Sequence, residues 1–223
     1  MRPPESHPGA RCGRYNLTGP EQLALEFEIA VLESDPGRPR FNIKPTQMAP
    51  VVFERDGQRV LAQLKWGLVP FWATDPKIGS RMINARAETV AEKPSYRQAL
   101  LKRRCLVPAN GFYEWVAMIG RKEPQHIRLG EGRLLAFAGL WESWRPKGTD
   151  DPPLRSFTII TTESNDLLRP IHDRMPVILP REAYGVWLDP TVTDRQALES
   201  LLVPSLDPRL TFGPVPGGKL ESD

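Results

Sequence analysis

The chain has 223 residues, 40% hydrophobic and 26% charged, the balance of a globular domain long enough to bury a core. No apolar run approaches the ~18 residues of a membrane span. The opening MRPPESHPGA lacks the apolar segment of a secretory signal, so neither a membrane nor a secreted protein is expected. The net charge of +3 comes from 22 arginines and 8 lysines against 27 acidic residues. Arginine suits planar phosphate recognition better than lysine. Genomic base composition gives the same bias, so the charge permits a nucleic-acid partner without demanding one. Cys12 and Cys105 form no CxxC and no Cys/His cluster, which argues against a disulfide framework and a structural zinc site and for a reduced, cytoplasmic protein.

Residues 1–11 are expected to be a disordered leader, residues 12–214 one folded domain and residues 215–223 a flexible tail. Arg11-Cys12-Gly13-Arg14-Tyr15 opens the domain with a thiol beside a glycine and between two guanidinium groups, a setting that favours thiolate and attracts anions. Thr18-Gly-Pro then starts a helix that the apolar positions of LALEFEIAVL carry to about Leu32. FNIKPTQMAP is extended, since its prolines exclude helix. PVVFER and RVLAQLKW around Asp56-Gly57 form a hairpin with a primed turn. Trp66 to Ala87, with little periodicity, is a long ordered loop, the kind of segment that carries function. A helix follows over Tyr96 to Lys102. Strands are predicted at RCLVPA, GFYEWV, HIRL, LLAFAGL, SFTIITT and Met175 to Leu179. Two amphipathic helices, Arg181 to Leu188 and Thr193 to Leu202, precede a Pro/Gly-rich tail. The succession of strands predicts an α+β fold: a single domain of mainly antiparallel sheets forming a barrel-like core with peripheral helices.

Four polar residues stand where apolar ones would be cheaper: Cys12, Asn84 in MINARAE, Glu114 in GFYEWV and His172 in PIHDRMPVIL. Alternation puts Glu114 on the face of Phe112, where burial raises a carboxyl pKa and suits it to acid–base work; on an edge strand it would simply face water. His172 is the side chain best suited to moving protons near neutrality. Asn84 can donate and accept, and so can hold a carbonyl or hydroxyl. The same set is compatible with a thiol hydrolase. Arg14, Arg86 and Arg174 each follow one of these groups by two residues, which in extended chain places a phosphate-binding guanidinium on the same side. Trp66, Phe71 and Trp72 could stack on unpaired bases, although Trp66 reads better as core.

The series Cys-Gly-Arg-Tyr, Phe-Asn-Ile-x-Pro-Thr, Trp-Gly-Leu-Val-Pro-x-Trp, Asn-Ala-Arg-x-Glu-Thr, Gly-Phe-Tyr-Glu-Trp and His-Asp-Arg-Met-Pro, running in order from Cys12 to about Phe212, resembles the SOS response-associated peptidase family. That family includes abasic-site processing proteins that crosslink to single-stranded DNA. The resemblance implies that Cys12, with a free α-amine and its thiol, closes a thiazolidine on the aldehyde of an abasic site. It implies that Asn84 positions the sugar and that Glu114 and His172 handle protons. Arg14, Arg86, Arg174, Trp72 and Thr161 would contact single-stranded DNA. It further implies self-processing peptidase activity, no metal or organic cofactor, action as a monomer, and a cytoplasmic, nucleoid-associated location. Family members typically begin Met-Cys, whereas eleven residues precede Cys12 here. The start is upstream of the natural one, or the leader is cleaved after Arg11, or this chain is no crosslinker. A thiol peptidase acting on other proteins and a non-covalent single-strand binder remain the alternatives.

Overall fold

The computed structural model describes residues 12–223. The expected leader, residues 1–11, lies outside the described residues. In chain order the elements are β1 (Tyr15–Leu17), α1 (Leu23–Glu26), β2 (Val31–Leu32), β3 (Arg40–Ile43), β4 (Met48–Arg55), β5 (Gln58–Trp66) and β6 (Asn84–Arg86). They continue with α2 (Arg97–Lys102), β7 (Arg104–Ala109), β8 (Gly111–Met118), β9 (Arg121–Leu129), β10 (Leu135–Trp144) and β11 (Leu154–Glu163). The last are β12 (Arg174–Pro176), α3 (Tyr184–Leu188), α4 (Arg195–Ser200) and β13 (Leu210–Pro214). The fold is the expected one, mostly sheet with a barrel core and a few short helices.

The barrel closes through β11. One edge of that strand pairs antiparallel with β10 and then with β12; the other pairs parallel with β5 and then with β6. Since β10 also pairs β7, β7 pairs β4, and β4 pairs β5, the strands β5, β4, β7, β10 and β11 form a closed five-stranded ring. Closure leaves these strands no free edge. SFTIITT is buried from Ser156 to Thr162, as expected of a strand paired on both sides. A second sheet, in the order β13-β9-β8-β1-β3, packs against the ring. Aromatic edge contacts seal the two together: the Tyr15 ring lies 5.2 Å from Trp66 and 6.0 Å from Phe137, and Phe112 lies 5.8 Å from Phe137.

The hairpin turn at Asp56-Gly57 has both residues at positive φ, 54° and 74°, as a primed turn requires. The Trp66 to Ala87 segment is ordered by main-chain contacts. Gly67 sits at φ 124°, and a Cβ there would come within 2.5 Å of the Gly79 carbonyl, so the two glycines let the loop fold back on itself. Gly67 donates to Phe157 O at 2.8 Å and the Trp66 indole to Ile83 O at 2.9 Å, which delivers the segment to β11 as β6.

Two expectations need correction. The helix after Thr18 ends at Phe27, not near Leu32: Glu28 takes a φ of 53°, and Val31–Leu32 leaves to pair in parallel with β5. Val31 is β-branched and suits a strand, and Leu25, 85% exposed, has no core to face. The Pro/Gly-rich stretch near the C-terminus contributes β13, paired to β9 from Leu210↔Leu129 to Pro214↔Gln125. Beyond it, Asp223 accepts hydrogen bonds from the backbone N–H groups of Phe41 and Asn42 at 2.7 and 2.9 Å.

Candidate active site

Three chain segments meet at the seam between the barrel and the second sheet. Cys12 leads into β1, which pairs with β8 in the register Tyr15↔Phe112, and the Tyr113 N–H donates to Arg14 O at 3.0 Å. That pairing brings Cys12 beside Glu114 on β8. β8 lies between β9 and β1, so Glu114 is on a central strand and only 4% exposed, not at a solvent-facing edge. His172 comes from the barrel side, in the turn that leads into β12. His172 N–H donates to Leu168 O at 3.0 Å and Ser164 N–H to Asp173 O at 3.0 Å.

The ligand atoms of Cys12, Glu114 and His172 all lie within 4.8 Å of one another. His172 Nε2 is 4.0 Å from Glu114 Oε2, with both side chains more than nine-tenths buried. The other imidazole nitrogen, Nδ1, is held by the Arg174 backbone, 2.9 Å from its carbonyl and 3.0 Å from its N–H. The same Arg174 carbonyl is 3.9 Å from Cys12 Sγ, so one backbone group ties thiol and imidazole together. His172 Nε2 and Glu114 Oε1 are buried without a hydrogen-bond partner among the described residues. Buried polar groups are normally satisfied, so these atoms are free to take a further partner.

Electrostatics corrects one expectation. Burial, and then the neighbouring Glu114 carboxylate, push the Cys12 thiol well above its ordinary pKa; the Arg174 charge and a backbone hydrogen bond pull the other way without offsetting them. Arg11 lies outside the described residues, and the cation that acts on the thiol is Arg174 rather than Arg14. Glu114 is itself pushed up, chiefly by burial, with His172 and the Cys12 thiol opposing. A carboxyl so placed holds its proton longer than an exposed one and can serve as an acid.

Of the other residues singled out from sequence, Arg174 touches this cluster, and the rest have their own partners or face solvent. Asn84 joins β11 through the pair Asn84↔Ile159; its Nδ2 is 3.5 Å from Ile159 O, and its Oδ1 is a further buried acceptor without a partner among the described residues. Arg86, two residues on and on the same side of β6, is exposed. Arg174 is engaged: it makes a bidentate pair with Glu88 at 2.6 and 3.0 Å and donates to Thr161 O at 2.7 Å and Thr161 Oγ1 at 3.2 Å. Thr161 is thus a buried partner of Arg174. Arg14 reaches Asn42 Oδ1 at 3.4 Å. Trp72 and Phe71 are 45% and 52% exposed, whereas Trp66 is fully buried. Glu88 is the participant that sequence reasoning missed. It lies inside the Asn-Ala-Arg-x-Glu-Thr motif, and the two-residue spacing 84, 86, 88 was the available signal.

The closed barrel carries a buried thiol, carboxyl and imidazole at its seam with the second sheet, a set able to supply a nucleophile and move protons. The chain belongs to the SOS response associated peptidase family, which it matches over residues 11–217. It is 45% identical over 197 residues to the abasic site processing protein YoqW of Bacillus subtilis, covering 86% of this chain and 87% of that one. It is 36% identical over 187 residues to the abasic site processing protein HMCES of Xenopus tropicalis, covering 70% of this chain and 56% of that one. Among solved structures, a protein from Bacteroides thetaiotaomicron superposes with a TM-score of 0.82 at 27% identity over 92% of each chain.

Proposed function

We propose that this protein acts in abasic-site DNA repair, capturing the aldehyde of an abasic site in single-stranded DNA as a thiazolidine on Cys12. The observation that carries this is the convergence of the Cys12, Glu114 and His172 ligand atoms within 4.8 Å, with the carboxyl and imidazole each presenting an unpartnered atom. Abasic-site processing relatives supply the substrate class.

The reaction requires the α-amine of Cys12 to be free, as either a downstream start or processing after Arg11 would leave it. An α-amine has a pKa of about 8, so a useful fraction is unprotonated near neutrality. The amine adds to the sugar aldehyde carbon, and the resulting carbinolamine loses water once its hydroxyl is protonated. Glu114, whose pKa burial raises, is placed to give that proton. Cys12 Sγ then bonds to the imine carbon while its proton moves, by way of Glu114 or His172, to the nitrogen. One water leaves, and no oxidant or cofactor enters the balance.

The order of steps suits a thiol kept protonated. A neutral buried sulfhydryl is a poor first nucleophile and an adequate second one, held beside a carbon that the amine has already captured. That favours this reading over a thiol peptidase acting on other proteins, which needs the thiolate at the outset. Asn84 Oδ1 is suited to a sugar hydroxyl. Arg86 and Trp72 supply an exposed cation and an exposed ring for backbone and base. Self-processing at the Arg11–Cys12 bond would use the same three side chains.

The test is denaturing electrophoresis of protein beginning at Cys12 with a uracil-containing oligonucleotide treated with uracil glycosylase. A retarded band that requires the glycosylase and disappears in Cys12→Ala is expected. Its absence, or its survival in Cys12→Ala, overturns the proposal. Mass spectrometry of the mature N-terminus from cells should find Cys12 first.

A further inference from the structure

The catalytic cluster has a second competence. We propose that Cys12 Sγ, the Glu114 carboxylate and His172 Nε2 form a binding site for one borderline-soft divalent cation of the zinc class, with a fourth coordination position open. One sulfur, one nitrogen and one oxygen donor lie within 4.8 Å of one another. Bond lengths of about 2.0–2.3 Å around a tetrahedral zinc place donors roughly 3.5 Å apart, so modest side-chain rotations bring all three into range.

Three features favour ligation beyond mere proximity. His172 Nδ1 is held by the Arg174 backbone, 2.9 Å from its carbonyl and 3.0 Å from its N–H, an outer contact that fixes the ring and leaves Nε2 facing Glu114 and Cys12. Nε2 itself and Glu114 Oε1 are buried without partners among the described residues, on side chains 9% and 6% exposed, so neither must surrender a protein hydrogen bond to take up a cation. The nearby guanidinium of Arg174 has its charge met by Glu88 at 2.6 Å. Thiolate and carboxylate together then balance a 2+ ion.

Ligation exchanges the Cys12 S–H proton for an S–metal bond with no change in oxidation state, the proton passing to solvent. A thiol so bound is unavailable to a carbonyl or an alkylating agent, so the cation acts as a reversible block on the residue. The inference uses the same cluster as the abasic-site reading but not the DNA chemistry, and its test contains no DNA.

The experiment is a titration of the full chain with cobalt(II) chloride, followed by visible and near-ultraviolet absorption. The expected result is saturation at one equivalent, with the d–d bands of four-coordinate cobalt and a thiolate-to-metal charge-transfer band. Zinc chloride should displace both. Cys12→Ser should abolish the charge-transfer band, His172→Ala and Glu114→Gln should each weaken binding tenfold or more, and Cys105→Ser should change nothing. In parallel, zinc should slow alkylation of Cys12, read by mass spectrometry, until a chelator restores it. A missing charge-transfer band in wild type, or its persistence in Cys12→Ser, overturns the proposal. So does binding of wild-type strength in both His172→Ala and Glu114→Gln when circular dichroism shows them folded.

Discussion

Acid should loosen the sheet that carries Cys12 and Glu114, and the weak point is His126 on β9. Its Nε2 lies 3.0 Å from Asn16 Oδ1 on β1, while its Nδ1 is 3.3 Å from Arg128 Nη1 and the ring stacks on Tyr113 at 4.8 Å. With Arg128 donating to Nδ1, Nε2 carries the proton and the imidazole is neutral. Burial, and then the Arg128 charge, lower its pKa from 6.5 to about 4. A lowered folded value means that the unfolded chain binds the extra proton first. Stability is therefore complete above pH 6.5 and is lost as the pH falls towards 4. A fully buried imidazole taken from 6.5 to about 4 would be worth ~3.4 kcal/mol. His126 is only half-buried, and solvent screening reduces that to about 1–2 kcal/mol. For a domain of this size that is a fall of about 3–6 °C in Tm. The assay is thermal unfolding of wild type and His126→Gln at pH 7.5 and pH 4.5. Carboxylates that titrate in the same range are common to both proteins and cancel in the difference. Wild type should lose about 1–2 kcal/mol more than the variant on acidification; parallel losses would refute the reasoning.

Glu114→Gln should lower the rate of abasic-site crosslinking by about 10²–10⁴, the usual worth of a positioned proton donor. The same variant should match or exceed wild type in Tm, since the charge it removes is one that burial penalises. A fall in both would make Glu114 structural. Arg86→Ala should reduce the slope of log affinity against log salt for single-stranded DNA by about 0.7, and Trp72→Ala should cost about 1–3 kcal/mol of binding; fluorescence anisotropy on undamaged oligonucleotide reads both. Arg104→Met should destabilise the fold by about 3 kcal/mol or more in denaturant titration. It strips hydrogen bonds from the carbonyls of Leu100, Trp187, Asp189 and Val192, where two helices end.

What could be read from the sequence follows from how local its causes are. Asp56-Gly57 set a turn by their own backbone preferences, and the hairpin appears as predicted. Cys12, Glu114 and His172 stood out because each interrupts apolar or small neighbours, a cost that folding recovers only by bringing them together. The helix after Thr18 was overextended because apolar spacing alone cannot say that Val31 and Leu32 have a parallel partner, Val60 and Leu61, nearly thirty residues away. β13 was hidden by its proline and glycine, since composition marks a loop while an edge strand tolerates both.

Arg174 shows the same limit at the site. A two-residue offset from His172 led to the expectation that its guanidinium meets a phosphate, but an offset in sequence says nothing of the partners a side chain already has. The side chain meets Glu88 and Thr161, and its backbone holds His172 Nδ1 and faces Cys12 Sγ. A phosphate that reached Arg174 would have to compete with Glu88 for the same guanidinium edge. Exchange of that carboxylate for a phosphate would reach the residue whose backbone holds His172 Nδ1, so under the proposed function phosphate contact and proton transfer would be linked through Arg174. Arg86 also acts on Glu88 through its charge but is exposed, so its contribution should read as a simple counterion-release slope.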